Sequence, residues 1–182
     1  MFTITVGNYA VTVQQGSLPS IYRDYKKHAK LCDEFALTPH TGELCFVTVS
    51  DSKHWPGLVV AQRYDLADAG YDPAVLLVPE THTIFIGAGR RVLAYRVDRP
   101  ERLWEEVTDA GFWEWSQHED TVLMSAELEL VAWDLRGKKR WAMPLEPAWE
   151  YHVDHGQVHV NVMGRKTVFA LREGPEHAAL ER

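Results

Sequence analysis

The chain has 182 residues, 46% of them hydrophobic and 25% charged, with a formal net charge of −7. That is enough for one domain with a sizeable core, and the composition is that of a globular protein rather than a disordered one. The acidic balance argues against nucleic acid as a direct partner, because phosphate binding needs clustered Lys and Arg. No apolar run reaches the roughly 20 residues of a membrane helix, so no membrane partner is expected either.

The opening stretch, MFTITVGNYAVTV, lacks a basic n-region and a small-residue cleavage site. No secretory signal is therefore expected, and the expected location is cytoplasmic. Phe2, Ile4 and Val6 alternate before Gly7-Asn8, and Tyr9, Val11 and Val13 alternate after it, which predicts a tight hairpin. Pro19 to Lys30 is the one helical stretch, with Ile21, Tyr22, Tyr25 and Ala29 on one face and basic residues opposite. The loop LTPHTGE follows. Leu44–Val49 and Gly57–Tyr64 read as strands on either side of an HWPG turn, and Asp65–Pro73 reads as an acidic loop. Cys32 and Cys45 do not make a disulfide framework and are expected to be reduced, half-buried thiols.

From Ala74 a 38-residue repeat takes over. Asp120 to Trp141 is its fullest copy, echoed by His82–Val97 before it and Val158–Glu173 after it. Equivalent positions are Ile84/Val122/Val160, Val92/Leu130/Val168, Leu93/Val131/Phe169 and Ala94/Ala132/Ala170. The middle copy predicts strands at Phe112–Gln117, Thr121–Ala126, Leu128–Asp134 and Lys139–Met143. The earlier copy predicts Ala74–Val78, Thr83–Ala88, Arg91–Val97 and Arg102–Val107, the last readable also as a helical turn. The final copy gives Glu150–Val153, Gln157–Val162 and Lys166–Leu171, then meets Gly174-Pro175 without a fourth strand. Such a meander cannot bury its own apolar face, so stability must come from stacking on neighbours. The three alanines are expected where adjacent sheets approach most closely.

Leu93-Ala94-Tyr95-Arg96-Val97 and the run Val131-Ala132-Trp133-Asp134 through Gly137-Lys138 to Trp141 resemble the repeat of PQQ-like (quinoprotein-type) β-propellers. That repeat sets an alanine, an aromatic or leucine, an aspartate, a Gly-Lys turn and a tryptophan in order. The likeness covers residues 74–173. The first copy has Asp98-Arg99-Pro100 in place of the glycine turn, and the last lacks the terminal tryptophan. The resemblance implies blade-like four-stranded sheets, and many such repeats bind no quinone, so no cofactor is expected.

The expected fold class is all-β with one short helix: tandem 38-residue antiparallel meanders forming a small propeller-like ring or an open twisted sheet stack. The expected organisation is a single domain, 1–182. Residues 1–40 are the N-terminal hairpin and helix, acting as cap or closure. Residues 41–73 are a degenerate unit, 74–175 three repeat units, and 176–182 a tail. In the ring version the hairpin supplies the strand missing from the last copy.

Charge and aromatics single out the candidate sites. Eight acids against two arginines lie between Asp98 and Asp120. Trp113 and Trp115 alternate, which predicts a shared face near Trp104 and Trp149 and offers an anchor for a partner protein or a stacking platform. The favoured reading of the same tryptophans is as the large buried core residues that a small stacked-sheet protein needs. The leading functional expectation is a non-enzymatic protein-interaction module binding a basic protein through Glu105, Glu106, Glu114, Trp113 and Trp115, with an immunity-type inhibitor of a basic toxin as one version.

The alternative is a small-molecule or glycan-binding, metal-dependent hydrolytic protein using His152, Asp154 and His159. Strand alternation puts the first two on one face, and the turn at Gly156 folds the third towards them. Glu127 and Glu129 are a further carboxylate pair on one predicted strand. A third possibility is a structural subunit whose open sheet edge pairs with a copy of itself, a homo-oligomer. Phosphate-loop, dinucleotide-binding, nucleophile-elbow and paired-cysteine motifs are missing from the sequence.

Overall fold

The computed structural model describes residues 1–37, 42–51, 55–68 and 70–176; parts of the LTPHTGE loop, the HWPG turn and the tail lie outside them. Among the described residues the protein is nearly all β, with sixteen strands in four sheets and one α-helix. The first sheet contains β1 (Phe2–Val6), β2 (Tyr9–Gln15), β3 (Leu31–Phe35), β4 (Glu43–Asp51) and β5 (Leu58–Tyr64), with α1 (Tyr22–His28) between β2 and β3. The second contains β6 (Ala74–Val78), β7 (Thr83–Ala88), β8 (Arg91–Arg96) and β9 (Glu101–Val107). The third contains β10 (Phe112–His118), β11 (Thr121–Ala126), β12 (Glu129–Asp134) and β13 (Lys139–Pro144). The fourth has only β14 (Trp149–Asp154), β15 (Gln157–Val162) and β16 (Arg165–Ala170).

The last three sheets are simple antiparallel meanders, as the repeat predicts, and β9 is a strand rather than a helical turn. The first sheet differs. Its order is β1-β2-β4-β5-β3, with β3 parallel to β5. The N-terminal hairpin does not complete the last unit, because β2 pairs with β4 from Tyr9↔Asp51 to Gln15↔Cys45. The fourth sheet is left with three strands. Gly7, at φ +59, makes the two-residue turn of that hairpin possible.

Side-chain alternation gives each of the first three sheets two apolar faces and the fourth sheet one, and neighbouring sheets cover them in series. Val11, Val47 and Val60 of the first sheet pack with Ile84, Ile86, Leu93 and Tyr95 of the second. The opposite face of the second sheet, with Phe85, Val92 and Ala94, meets Val122, Met124, Val131 and Trp133 of the third. Leu123, Leu130, Ala132 and Trp141 then meet Val158, Val160 and Phe169 of the fourth. Tyr22 and Tyr25 of α1 close the outer face of the first sheet over Phe46, with ring centroids 5.7 and 6.0 Å apart. Among the described residues no buried cluster joins the fourth sheet to the first. The arrangement is an open stack capped by the helix.

The repeated alanines show where the series stops. Ala94 and Ala132 are fully buried between sheets, each paired across its strand with a tryptophan, Trp104 and Trp141. Ala170 lies on the outward side of β16, half-buried, with no further sheet above it among the described residues. Ala132→Leu should therefore overpack and cost about 1–3 kcal/mol, whereas Ala170→Leu should stay within about 0.5 kcal/mol of the parent. Urea unfolding of the two variants checks both figures.

Candidate functional site

The strand that carries the candidate tryptophans is bulged. β10 pairs Phe112 with Ala126 and then Glu114 with Ser125, so Trp113 is the extra residue and the period of two breaks there. Trp113 and Trp115 consequently point to opposite faces, contrary to the shared face predicted. Trp115 enters the core between the second and third sheets, 5.3 Å from Phe85 and 5.7 Å from Trp133. Trp113 turns to the fourth sheet and stacks on Trp149 at 5.1 Å. Trp104 stacks on Trp133 at 5.1 Å and donates its indole N–H to the Gly137 carbonyl at 2.6 Å. All four pack between sheets and are partly or fully buried.

The acids divide into two groups. Glu105 accepts from Arg91 and Arg102, each at 3.0 Å, and Arg102 also reaches Asp33 at 3.5 Å. Tyr95, buried, donates to the same Asp33 at 2.9 Å. Glu106 pairs with Lys139 of the third sheet at 2.5 Å. Asp120 binds Arg140 at 2.8 Å and Arg172, beyond β16, at 2.5 Å. Their hydrogen bonds and charges hold its carboxyl well below the usual carboxylate range. Asp33, Glu106 and Asp120 tie neighbouring sheets together, whereas Glu105 binds within the second sheet. Glu101, Asp109, Glu114 and Glu119 are exposed and join none of the ion pairs seen among the described residues.

The histidine cluster forms only in part. His152 and His159 are directly paired across β14 and β15, with rings stacked 4.5 Å apart and 4° from parallel. Asp154 sits opposite Gln157, and its carboxylate holds the His155 ring at 2.8 Å instead. Among the described residues no three His, Cys, Asp or Glu side chains are placed to hold a metal ion. Glu127 falls in the turn before β12 while Glu129 begins that strand, half-buried, its carboxyl pushed up mainly by burial. The two carboxylates are therefore not a matched pair on one strand face.

The described surface has several hollows, two of which are lined by aromatic or apolar side chains. A cleft of about 510 Å3 lies between the first two sheets, where Trp55 stacks on His28 at 4.5 Å beside Tyr9, Asp51 and Asp98. Tyr9 donates to or accepts from His82 Nδ1 at 2.8 Å. A groove of about 810 Å3 runs between β13 and β16, walled by Met143, Pro144, Phe169 and Pro175. Both cysteines are free thiols, and burial pushes that of Cys45 up to about 12. No described helix is long and apolar enough to cross a membrane.

No family model matches the sequence, and no curated protein matches it. Among solved structures, Hsv2 of Kluyveromyces lactis is similar at a TM-score of 0.43 and 10% identity, over 75% of this chain and 42% of that one. Sqt1 of Saccharomyces cerevisiae is similar at 0.42 and 12%, over 71% and 42%. BamB from Moraxella catarrhalis is similar at 0.40 and 9%, over 69% and 39%. These neighbours are β-propellers, and the chain spans less than half the length of each.

The Asp120 clasp has a signed pH dependence. A depressed folded-state pKa contributes stability that is present above the ordinary carboxylate value and lost as pH falls through the folded one. Asp120→Asn should cost about 0.5–1 kcal/mol at neutral pH. Thermal melts of the parent and variant should converge as pH falls below about 4.

Proposed function

We propose that the chain is a protein-interaction module. The observation that carries the reading is how the surface is divided. Apart from the outward side of the fourth sheet, the sheet faces are occupied by one another and by α1, while strand edges and turns face outward and carry exposed charge. Glu101, Asp109, Glu114 and Glu119 add to an overall charge of −7, and an acidic surface of this kind attracts and orients a basic partner. An immunity-type inhibitor that covers a basic toxin is the concrete version of this proposal. Glu105 and Glu106 contribute to the same field while tied to Arg91, Arg102 and Lys139. Trp113 and Trp115 support the surface from beneath, by holding β10 between two cores.

The ion pairs decide which variants make a clean test. Reversing Glu105 or Glu106 also breaks ion pairs within the fold, whereas Glu101, Asp109 and Glu114 join none among the described residues, Glu114 making only a hydrogen bond to Tyr151. A partner captured from a lysate of the source organism at low salt should be a basic protein released by salt. Its dissociation constant should rise about tenfold or more for the Glu101→Lys, Asp109→Lys, Glu114→Lys triple variant. An unchanged affinity and salt dependence would remove the acidic surface from the proposal.

A further inference from the structure

The first sheet has one more strand than the sheet it packs on, and the extra strand is β1. Phe2, Ile4 and Val6 lie on the same side as Val11 and Val13, their partners Phe2↔Val13 and Ile4↔Val11 showing the alignment. Val11 and Val13 are buried against the second sheet, and Val6 still packs against that core. Beyond it the apolar row opens to solvent: Ile4 is 40% exposed and Phe2 53%. The free edge beside them carries no charge. Every other free edge strand carries at least one ionisable residue, from Asp33 and Glu34 on β3 to Arg165 and Lys166 on β16, except β6, which is half to fully buried. Charged residues are how exposed edges resist pairing, and β1 lacks them.

The hydrogen-bonding groups of this edge are arranged symmetrically. Val6 and Tyr9 close the two-residue hairpin turn, so Val6, Ile4 and Phe2 bond inward to β2. Thr3 and Thr5 therefore point their N–H and C=O outward. We propose that β1 pairs antiparallel with β1 of a second copy of this chain, about a two-fold axis at Ile4. Thr3 then exchanges both backbone hydrogen bonds with Thr5 of the other copy, and Thr5 with Thr3. Ile4 lies against Ile4 and Phe2 against Val6, so each overhanging row covers the other. A second copy fits better than an arbitrary strand because it brings the same uncharged apolar row in the register that the two threonines dictate. A five-residue strand pair is a small interface, and the association is weak, in the micromolar range.

The test is analytical ultracentrifugation of the full chain and its variants at rising micromolar concentration. The parent should dimerise reversibly. Ile4→Lys and Ile4→Glu each set like charges face to face across the axis and should raise the dissociation constant about tenfold or more. An equimolar mixture of the two variants should dimerise again, since lysine then meets glutamate. Thr5→Pro removes an outward N–H without touching the β1–β2 ladder, and should give a monomer that melts like the parent. A parent that stays monomeric leaves the edge to a foreign strand and overturns the proposal. A dimer that Ile4→Lys and Thr5→Pro leave intact, or variants that fail to re-associate when mixed, overturn it as well. None of these outcomes bears on the acidic surface, which is read from a separate partner.

Discussion

A four-stranded meander has two faces, and it cannot bury either of them alone. The first three sheets are covered on both faces for that reason, the fourth on one, and the spacing between sheets is set by a recurring contact. Trp104, on the last strand of the second sheet, donates its indole N–H to the Gly137 carbonyl of the third. Trp141, in the same place on the third sheet, donates to the Leu171 carbonyl of the fourth at 2.8 Å. Trp149 reaches back from β14 to the Glu127 carbonyl at 2.9 Å. Each indole fills the space over a neighbouring sheet and satisfies a carbonyl that the strand ladder leaves free. The glycines follow from this crowding. A Cβ on Gly174, whose φ is +78, would lie 2.5 Å from the Trp141 ring.

Because the cores run in series, the two ends of the stack need different treatment. At the first sheet α1 lays Tyr22 and Tyr25 over Phe46, and Lys26 and Tyr22 are anchored to Glu34. At the fourth sheet the repeat itself changes character. Positions that face the next sheet as Phe85 and Leu123 become Asn161, and those that hold Thr83 and Thr121 become His159. Asn161 donates to Glu150 at 2.9 Å, and His152 stacks on His159, so the outward side is a polar layer suited to water. The histidines that look like a metal cluster in the sequence belong to this layer. Their spacing comes from strand pairing rather than from coordination.

Much of the fold was legible because the repeat is long and regular. Thr83–Ala88, Thr121–Ala126 and Gln157–Val162 are strands at the limits the alternation predicts. The first sheet was harder. LCDEF mixes apolar and acidic residues over only five positions, and its role as β3 depends on a parallel pairing with β5 that no local pattern encodes. The shared face expected of Trp113 and Trp115 failed at one residue. The bulge at Trp113 shifts β10 by a single position, and a single position sends two tryptophans to opposite cores. Ion pairing was equally hidden: Glu105, Glu106 and Asp120 read as free surface charge in the sequence, yet each answers an arginine or lysine brought near by strand pairing or sheet stacking.

The interaction reading and the architecture share one premise, that the stack ends at the fourth sheet and leaves its edges and turns outward. Amide hydrogen exchange along β16, compared with its counterpart β12, tests that premise most directly. Val162 and Arg165 close the turn between β15 and β16, so Arg165, Thr167 and Phe169 bond inward, while Lys166, Val168 and Ala170 face the free edge. Protection should alternate along β16, with Val168 and Ala170 exchanging far faster than Leu130 and Ala132, which pair with β13. Uniformly slow exchange along β16, matching β12, would mean that another strand or sheet covers this end, and would contradict the open stack.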